Sequence, residues 1–282
     1  MKSLRIGCVK YLNARPLIRG WPGPVDFDHP STLCKRLASG GLDVAFVSSF
    51  EFLRNPIYRI VDDVSISSAG PVYSVVVAHR GDISEVDEIE LDPAAETSTN
   101  LLRCLLAEGG LSPRLILTST SSVVEARVPT RRNSLRPGTA ASRPNSARLL
   151  IGDQAIRFRQ QHRDEFNFWD LGEQWNELVG LPFVYALWLV RPEVFDPKPI
   201  ANRLRALRDD NLAGIDELIA EEKEFDRKFC RRYYRENLRF GFGEKERAGL
   251  REFHKRCLEQ RLLPREYLEA GACDSRLPFR CV

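Results

Sequence analysis

A chain of 282 residues, 43% hydrophobic and 29% charged, has the make-up of a soluble globular protein and the length of two domains. The net charge of +3 is uneven: residues 121–148 hold six Arg against one Glu, so the protein as a whole is not basic and only one segment is. No apolar run reaches the ~18 residues of a membrane span, and the first residues lack the apolar core of a secretion signal. The expectation is a cytoplasmic protein with no membrane partner. Seven cysteines without a CxxC pair, and no His at ligand spacing, argue for reduced thiols and against a zinc or other metal site.

In chain order, residues 4–9 alternate like a strand, and Tyr11-Leu12-Asn13 follow at its tip, ahead of a short helix around Pro16. Tyr11 and Asn13 there either face a ligand or form a turn in which Asn13 caps the helix. Ser31 is expected to cap the next helix, which ends at Gly40-Gly41. Residues 42–47 form a buried strand that empties into Ser48-Ser49. This β-α-β order calls for a parallel sheet, with ligand beyond the carboxyl ends of the strands. Residues 65–71 read as a small polar loop, and 72–78 as an uncharged strand carrying Ser74.

Thr97-Ser98 open a leucine-spaced helix that stops at Gly109-Gly110. Its N-terminus either holds an anion or is simply capped by hydroxyls. Residues 123–148, rich in Arg, Ser, Pro and Thr, read as a solvated excursion; nucleic-acid binding there lacks interleaved aromatics and any partner motif. Residues 149–156 are a strand, a Gly turn and a helix start, with Asp153 capping the helix or facing the cleft. Residues 167–175 form an aromatic connector into residues 180–190, a charge-free stretch opened by Gly-Leu-Pro. That stretch suits a strand buried on both faces, crossing between two lobes with its first residues lining the cleft. Three amphipathic helices follow at about 199–220, 221–238 and 244–259.

The nucleophile elbow, HExxH, the phosphate-binding loop and the dinucleotide fingerprint are all absent. His29, His79, His162 and His254 have no nucleophile or metal partner in the pattern, and a surface place is expected for His29 and His79. The strand tips offer small, neutral groups: Tyr11, Asn13, Ser48, Ser49, Ser68, Ser74, Thr97 and Ser98, with Asp153 the one acid. Such a cleft suits a small polar anion. Residue chemistry alone stops at a two-lobed binding protein.

Six stretches go further: VKYLNARPL (9–17), GLDVAFVSSFEFLRN (41–55), SISSAGPVYSVVV (65–77), ETSTNLLRCLL (96–106), LLIGDQAI (149–156) and WDLGEQWNELVGLPFVYALW (169–188). In this order and spacing, the chain resembles the chorismate dehydratases of the futalosine route to menaquinone. The resemblance implies an α/β, two-lobed, type II periplasmic-binding-protein-like fold with a ligand cleft between the lobes. Lobe I would comprise residues 1–86 plus 187–282, and lobe II residues 87–186. It also implies a cofactor-free enzyme that dehydrates chorismate to 3-[(1-carboxyvinyl)oxy]benzoate, acting as a monomer or homodimer with no nucleic-acid partner.

Carried over by position, Asn13 and Ser74 match catalytic residues. Tyr11, Ser49, Thr97, Ser98, Asp153, Pro182 and Phe183 match positions around the substrate. Ala95 stands where the family usually has Ser, which puts one carboxylate contact in question, and the 123–148 excursion is longer than expected. The rival reading is a cytoplasmic solute-binding or ligand-sensing protein without turnover.

Overall fold

The chain is described from a computed structural model over residues 4–93, 95–117, 145–263 and 279–282. Strands β1 (Ile6–Cys8), β2 (Val25–Phe27), β3 (Val44–Ser48), β4 (Arg59–Ser68) and, from far later in the chain, β10 (Phe183–Val190) build a first sheet in the order β2-β1-β3-β10-β4. β10 lies antiparallel between β3 and β4, which leaves only Ala186 partly exposed. The sheet is therefore mixed, whereas the opening β-α-β order had suggested a parallel one; β1 does run parallel to both β2 and β3. A charge-free strand can occupy this interior slot because no side chain needs water on either face.

The second sheet holds β5 (Val75–His79), β6 (Glu88–Leu91), β7 (Arg114–Leu117), β8 (Ser146–Ile151) and β9 (Asn167–Asp170), in the order β7-β6-β8-β5-β9. The helices are α1 (Pro30–Ala38), α2 (Ser49–Arg54), α3 (Glu96–Glu108), α4 (Gly152–Gln161), α5 (Leu171–Val179), α6 (Lys198–Ala213), α7 (Ile215–Ala220), α8 (Arg227–Arg232) and α9 (Glu244–Glu259). α1 packs on β1 and β3, α6 on β4, α4 on β5 and β8, and α9 on both β10 and α3.

The chain passes between the sheets twice, at residues 69–74 and 180–182. Gly70 (φ +117°) and Gly180 (φ +71°) take the left-handed backbone those turns require. The sheets thus divide the chain at the crossings rather than at residues 86 and 187. β5 pairs with β8 and β9 and so belongs to the second lobe, while all of β10 belongs to the first. Other expectations shift as well. Ser65–Ser68 are not loop but the end of β4, because Ser67 and Ser68 pair with Val184 and Phe183. Residues 167–175 are a strand and a helix start, with the buried Asp170 as the cap of α5. α1 starts at Pro30 with His29 at its cap position, two residues earlier than a Ser31 cap implies.

His79, expected at the surface, is buried at the end of the interior strand β5. Residues 118–144, most of the Arg-rich excursion, lie outside the described residues. Its last residues, Ser146 to Arg148, open β8, where Arg148 pairs with Glu90. Among the described cysteines, Cys8, Cys34, Cys104, Cys230 and Cys257 are buried as small core residues.

Candidate active site

Where the two sheets face each other lies a cleft with about 660 Å³ of empty space, its open mouth included. The first lobe lines it with Tyr11 and Asn13 from the turn after β1, Ser48 at the tip of β3, and Tyr185 and Ala186 of β10. The second lobe contributes Ser74 just before β5, Thr97 and Ser98 in the first turn of α3, and Ile151-Gly152 where β8 becomes α4. Gly152 has φ +57°, and a Cβ there would lie 3.0 Å from the Tyr11 ring, so both backbone shape and space demand glycine.

Ser74 is held by three layers. Its carbonyl accepts from Gly152 N–H (2.8 Å), and its Oγ accepts from the Tyr233 hydroxyl (2.7 Å). The preceding Tyr73 sits at φ +67°, a conformation that costs about 1–3 kcal/mol in a non-glycine residue. Buried Asp170 holds it there: its two oxygens accept Val72 N–H (3.0 Å) and Tyr73 N–H (2.7 Å) while also capping α5. The Arg159 guanidinium covers the Tyr73 ring at 4.2 Å. A strained residue braced so heavily beside a cleft serine marks a position where shape matters more than local stability.

Across the cleft the lobes are bonded to each other. Ser48 Oγ meets Thr97 Oγ1, which also accepts Phe50 N–H (3.2 Å), and Arg54 spans Glu51 and Glu96. On the other side Asp153 accepts Leu12 N–H at 2.9 Å, and the Tyr234 hydroxyl donates to Leu12 O at 2.8 Å. Together these bonds fix the turn that carries Asn13. Asn13 Oδ1 is buried without a hydrogen-bond partner.

Of the residues singled out by sequence, Tyr11, Asn13, Ser74, Thr97 and Ser98 come together on the cleft wall. Ser49, Asp153, Pro182 and Phe183 do not line it. Ser49 is fully buried and donates to Val184 O (2.7 Å), tying α2 to β10. Phe183 sits in an aromatic cluster with Trp175, Tyr185 and Phe253, and Pro182 backs onto Gly249 of α9. Asp153 stands behind Tyr11 and Leu12. Burial pushes its carboxyl up to about 6, against the lowering effects of the Leu12 N–H and Arg157. Burial and the charges of Asp92 and Asp153 push the Tyr11 phenol up to about 12.

Tyr185, Tyr233, Tyr234 and Asp170 were missed by sequence reasoning. The consecutive tyrosines behind the basic run of α8 were the available signal, hidden in a stretch that reads as an ordinary amphipathic helix. Among the described residues no group of His, Cys, Asp and Glu is placed to hold a metal ion, and no helix is long and apolar enough to cross a membrane.

The wall is mostly apolar, with hydroxyls, one amide, the Glu96 carboxylate paired with Arg54 and the uncapped first turn of α3 as its polar groups. Such a surface offers a small ligand hydrogen bonds beside apolar contacts. Residues 4–259 match the family described as menaquinone biosynthesis. The chain belongs to this family.

It is similar to the chorismate dehydratase of Thermus thermophilus, 28% identical over 273 residues, covering 90% of this chain and 94% of the relative. The chorismate dehydratase of Campylobacter jejuni is 24% identical over 249 residues, covering 88% and 90%. Among solved structures, a protein of Archaeoglobus fulgidus superposes with a TM-score of 0.66 at 17% identity, covering 92% of this chain and 98% of that one. The periplasmic aliphatic sulphonate binding protein SsuA from Escherichia coli gives 0.57 at 12% identity, covering 93% of each. The family member therefore carries the two-lobed fold of periplasmic binding proteins.

Proposed function

We propose that this chain is a chorismate dehydratase of the futalosine route, a cytoplasmic hydro-lyase that converts chorismate to 3-[(1-carboxyvinyl)oxy]benzoate and water without a cofactor. The observation that carries the reading is a cleft of neutral donors and acceptors, Asn13 and Ser74 among them, in a chain whose curated relatives are chorismate dehydratases. Removing the C3 hydrogen and the C4 hydroxyl makes the ring aromatic, with no net change in redox state. The driving force lies in the substrate, so the protein need only hold two carboxylates and guide one proton.

Loss of the C3 proton leaves a carbanion conjugated with the ring carboxylate, which the first turn of α3 at Thr97-Ser98 is suited to receive. Hydroxide then departs from C4, assisted by a hydrogen bond from Ser74. Among the described residues Glu96 is the one carboxylate on the wall, and it is paired with Arg54. The substrate's own enolpyruvyl carboxylate is therefore the base this reading favours. Purified protein incubated with chorismate should generate the ultraviolet spectrum of the aromatic product. Thermal stabilisation by chorismate without product would instead establish a solute-binding protein.

Asp153 is assigned to positioning. In Asp153→Asn an amide oxygen still accepts Leu12 N–H, and kcat is expected to stay within about threefold of wild type, whereas loss of a general base costs about 10²-fold or more. Stability supplies a second check. The folded-state carboxyl is raised from 3.8 to about 6, so its protonated form is favoured by folding, and the stability it contributes is lost as pH rises through about 6. Asp153→Asn should therefore melt above wild type at neutral pH, with the difference vanishing below about pH 4. A melting difference independent of pH rejects this account.

A further inference from the structure

We infer that Tyr233 is a positioning residue that sets the hydrogen-bond polarity of Asn13 and Ser74, an inference that rests on the chorismate reading. α8 runs directly into a π turn, Tyr233–Asn237, a feature that recurs at functional sites. The turn places two successive tyrosines on the cleft residues. The Tyr233 hydroxyl donates to Ser74 Oγ, and the Tyr234 hydroxyl donates to the carbonyl of Leu12, next to Asn13. Tyr233 and Ser74 are 0% and 1% exposed, so water does not compete for the bond between them.

A serine hydroxyl has one proton and two lone pairs. With a lone pair occupied by Tyr233, Ser74 keeps its proton for the cleft and acts there as a donor. The Asn13 side chain also favours the ionised form of the Tyr233 phenol, as an N–H donor beside its oxygen does. Since the phenol proton is committed to Ser74, the Asn13 amide N–H must be what meets the phenol oxygen. That orientation leaves Asn13 Oδ1, buried and without a partner, as the unused acceptor of a residue that lines the cleft.

One tyrosine thus makes a donor of Ser74 and an acceptor of Asn13. Chorismate dianion has a single hydrogen-bond donor, the C4 hydroxyl, which is also its leaving group. Its O–H fits Asn13 Oδ1 and its oxygen fits the Ser74 proton. Both protein groups then converge on the oxygen that departs, taking with it the electron pair of the C4–O bond, while the C3 proton goes to the base.

The test is steady-state chorismate dehydration by the full chain as wild type, Tyr233→Phe, Ser74→Ala and the double variant, with a thermal melt of each. Tyr233→Phe is expected to lower kcat by about 10²-fold, the scale of a small misplacement, with KM within about threefold. In the Ser74→Ala background the same substitution should cost clearly less, about tenfold or below, because only the phenol's effect on Asn13 is left to lose. A near-normal Tyr233→Phe enzyme, or equal losses in both backgrounds, overturns the inference.

If Tyr233→Phe does not fold, fluorotyrosine at position 233 alone keeps the shape and acidifies the phenol. The stronger donor to Ser74 must then change kcat at neutral pH, and an unchanged kcat overturns the proposal. Wild-type protein without turnover sinks the chorismate reading and this inference together. Wild-type turnover beside an unimpaired Tyr233 variant sinks this inference alone.

Discussion

In Ser74→Ala, kcat for chorismate dehydration is expected to fall by about 10²–10³-fold with little change in KM, the loss typical of removing one preorganised donor to developing negative charge. The hydroxyl it removes faces a departing oxygen that becomes strongly basic only as the C4–O bond breaks, so the missing stabilisation is felt in the transition state. Binding of the ring carboxylate, assigned to the first turn of α3, is untouched. The surrounding frame also persists. Asp170 still holds the backbone of Val72 and Tyr73, and Gly152 N–H still bonds residue 74's carbonyl. What remains is a Tyr233 phenol without its acceptor, a cost of about 1–3 kcal/mol that a melt will register separately. Asn13→Ala should show a loss of the same kind. Turnover near wild type in both variants would remove these residues from the mechanism.

Gly249→Ala should lower stability by about 3 kcal/mol, at the upper end of overpacking costs, or roughly 6–10 °C in Tm for a chain of this size. On an exposed helix the same change stabilises by about 1 kcal/mol, since alanine is the better helix former. Here tertiary packing reverses the sign. Gly249 is buried in α9, and a Cβ on it would stand 1.9 Å from the carbonyl oxygen of Pro182. The obstacle is backbone, at the crossing just ahead of β10, so relief requires moving this interior strand of the first sheet or the helix. That strand carries Phe183 into the cluster with Trp175 and Phe253, and Tyr185 into the cleft. A melting temperature equal to or above wild type would show that α9 and the crossing are not in contact as described.

Much of the frame was readable from local pattern. The charge-free run before Arg191 announces an interior strand, and β10 occupies one. The leucine spacing after Thr97 announces α3, and Gly109 stops it. Reading went astray where a residue's environment is supplied from elsewhere. Ser65–Ser68 look like loop because they are small and polar, yet strand pairing with β10 satisfies their backbone groups. Asp170 reads as one acid in an aromatic stretch, yet buried it caps α5 and clamps a strained Tyr73.

What the sequence alone determined is therefore the set of elements, the neutral character of the cleft groups and the family to which the chain belongs. Each is written in spacing, turn chemistry or contiguous motifs. Tertiary structure alone decided which lobe β5 joins, what Gly249 packs against, and which tyrosine bonds Ser74. The physical reason is separation along the chain: Tyr233 and Ser74 stand 159 residues apart, and Leu12 and Asp153 stand 141 apart. Local pattern encodes how a segment curls and which face it hides. It does not encode which distant hydroxyl will be waiting when the faces meet.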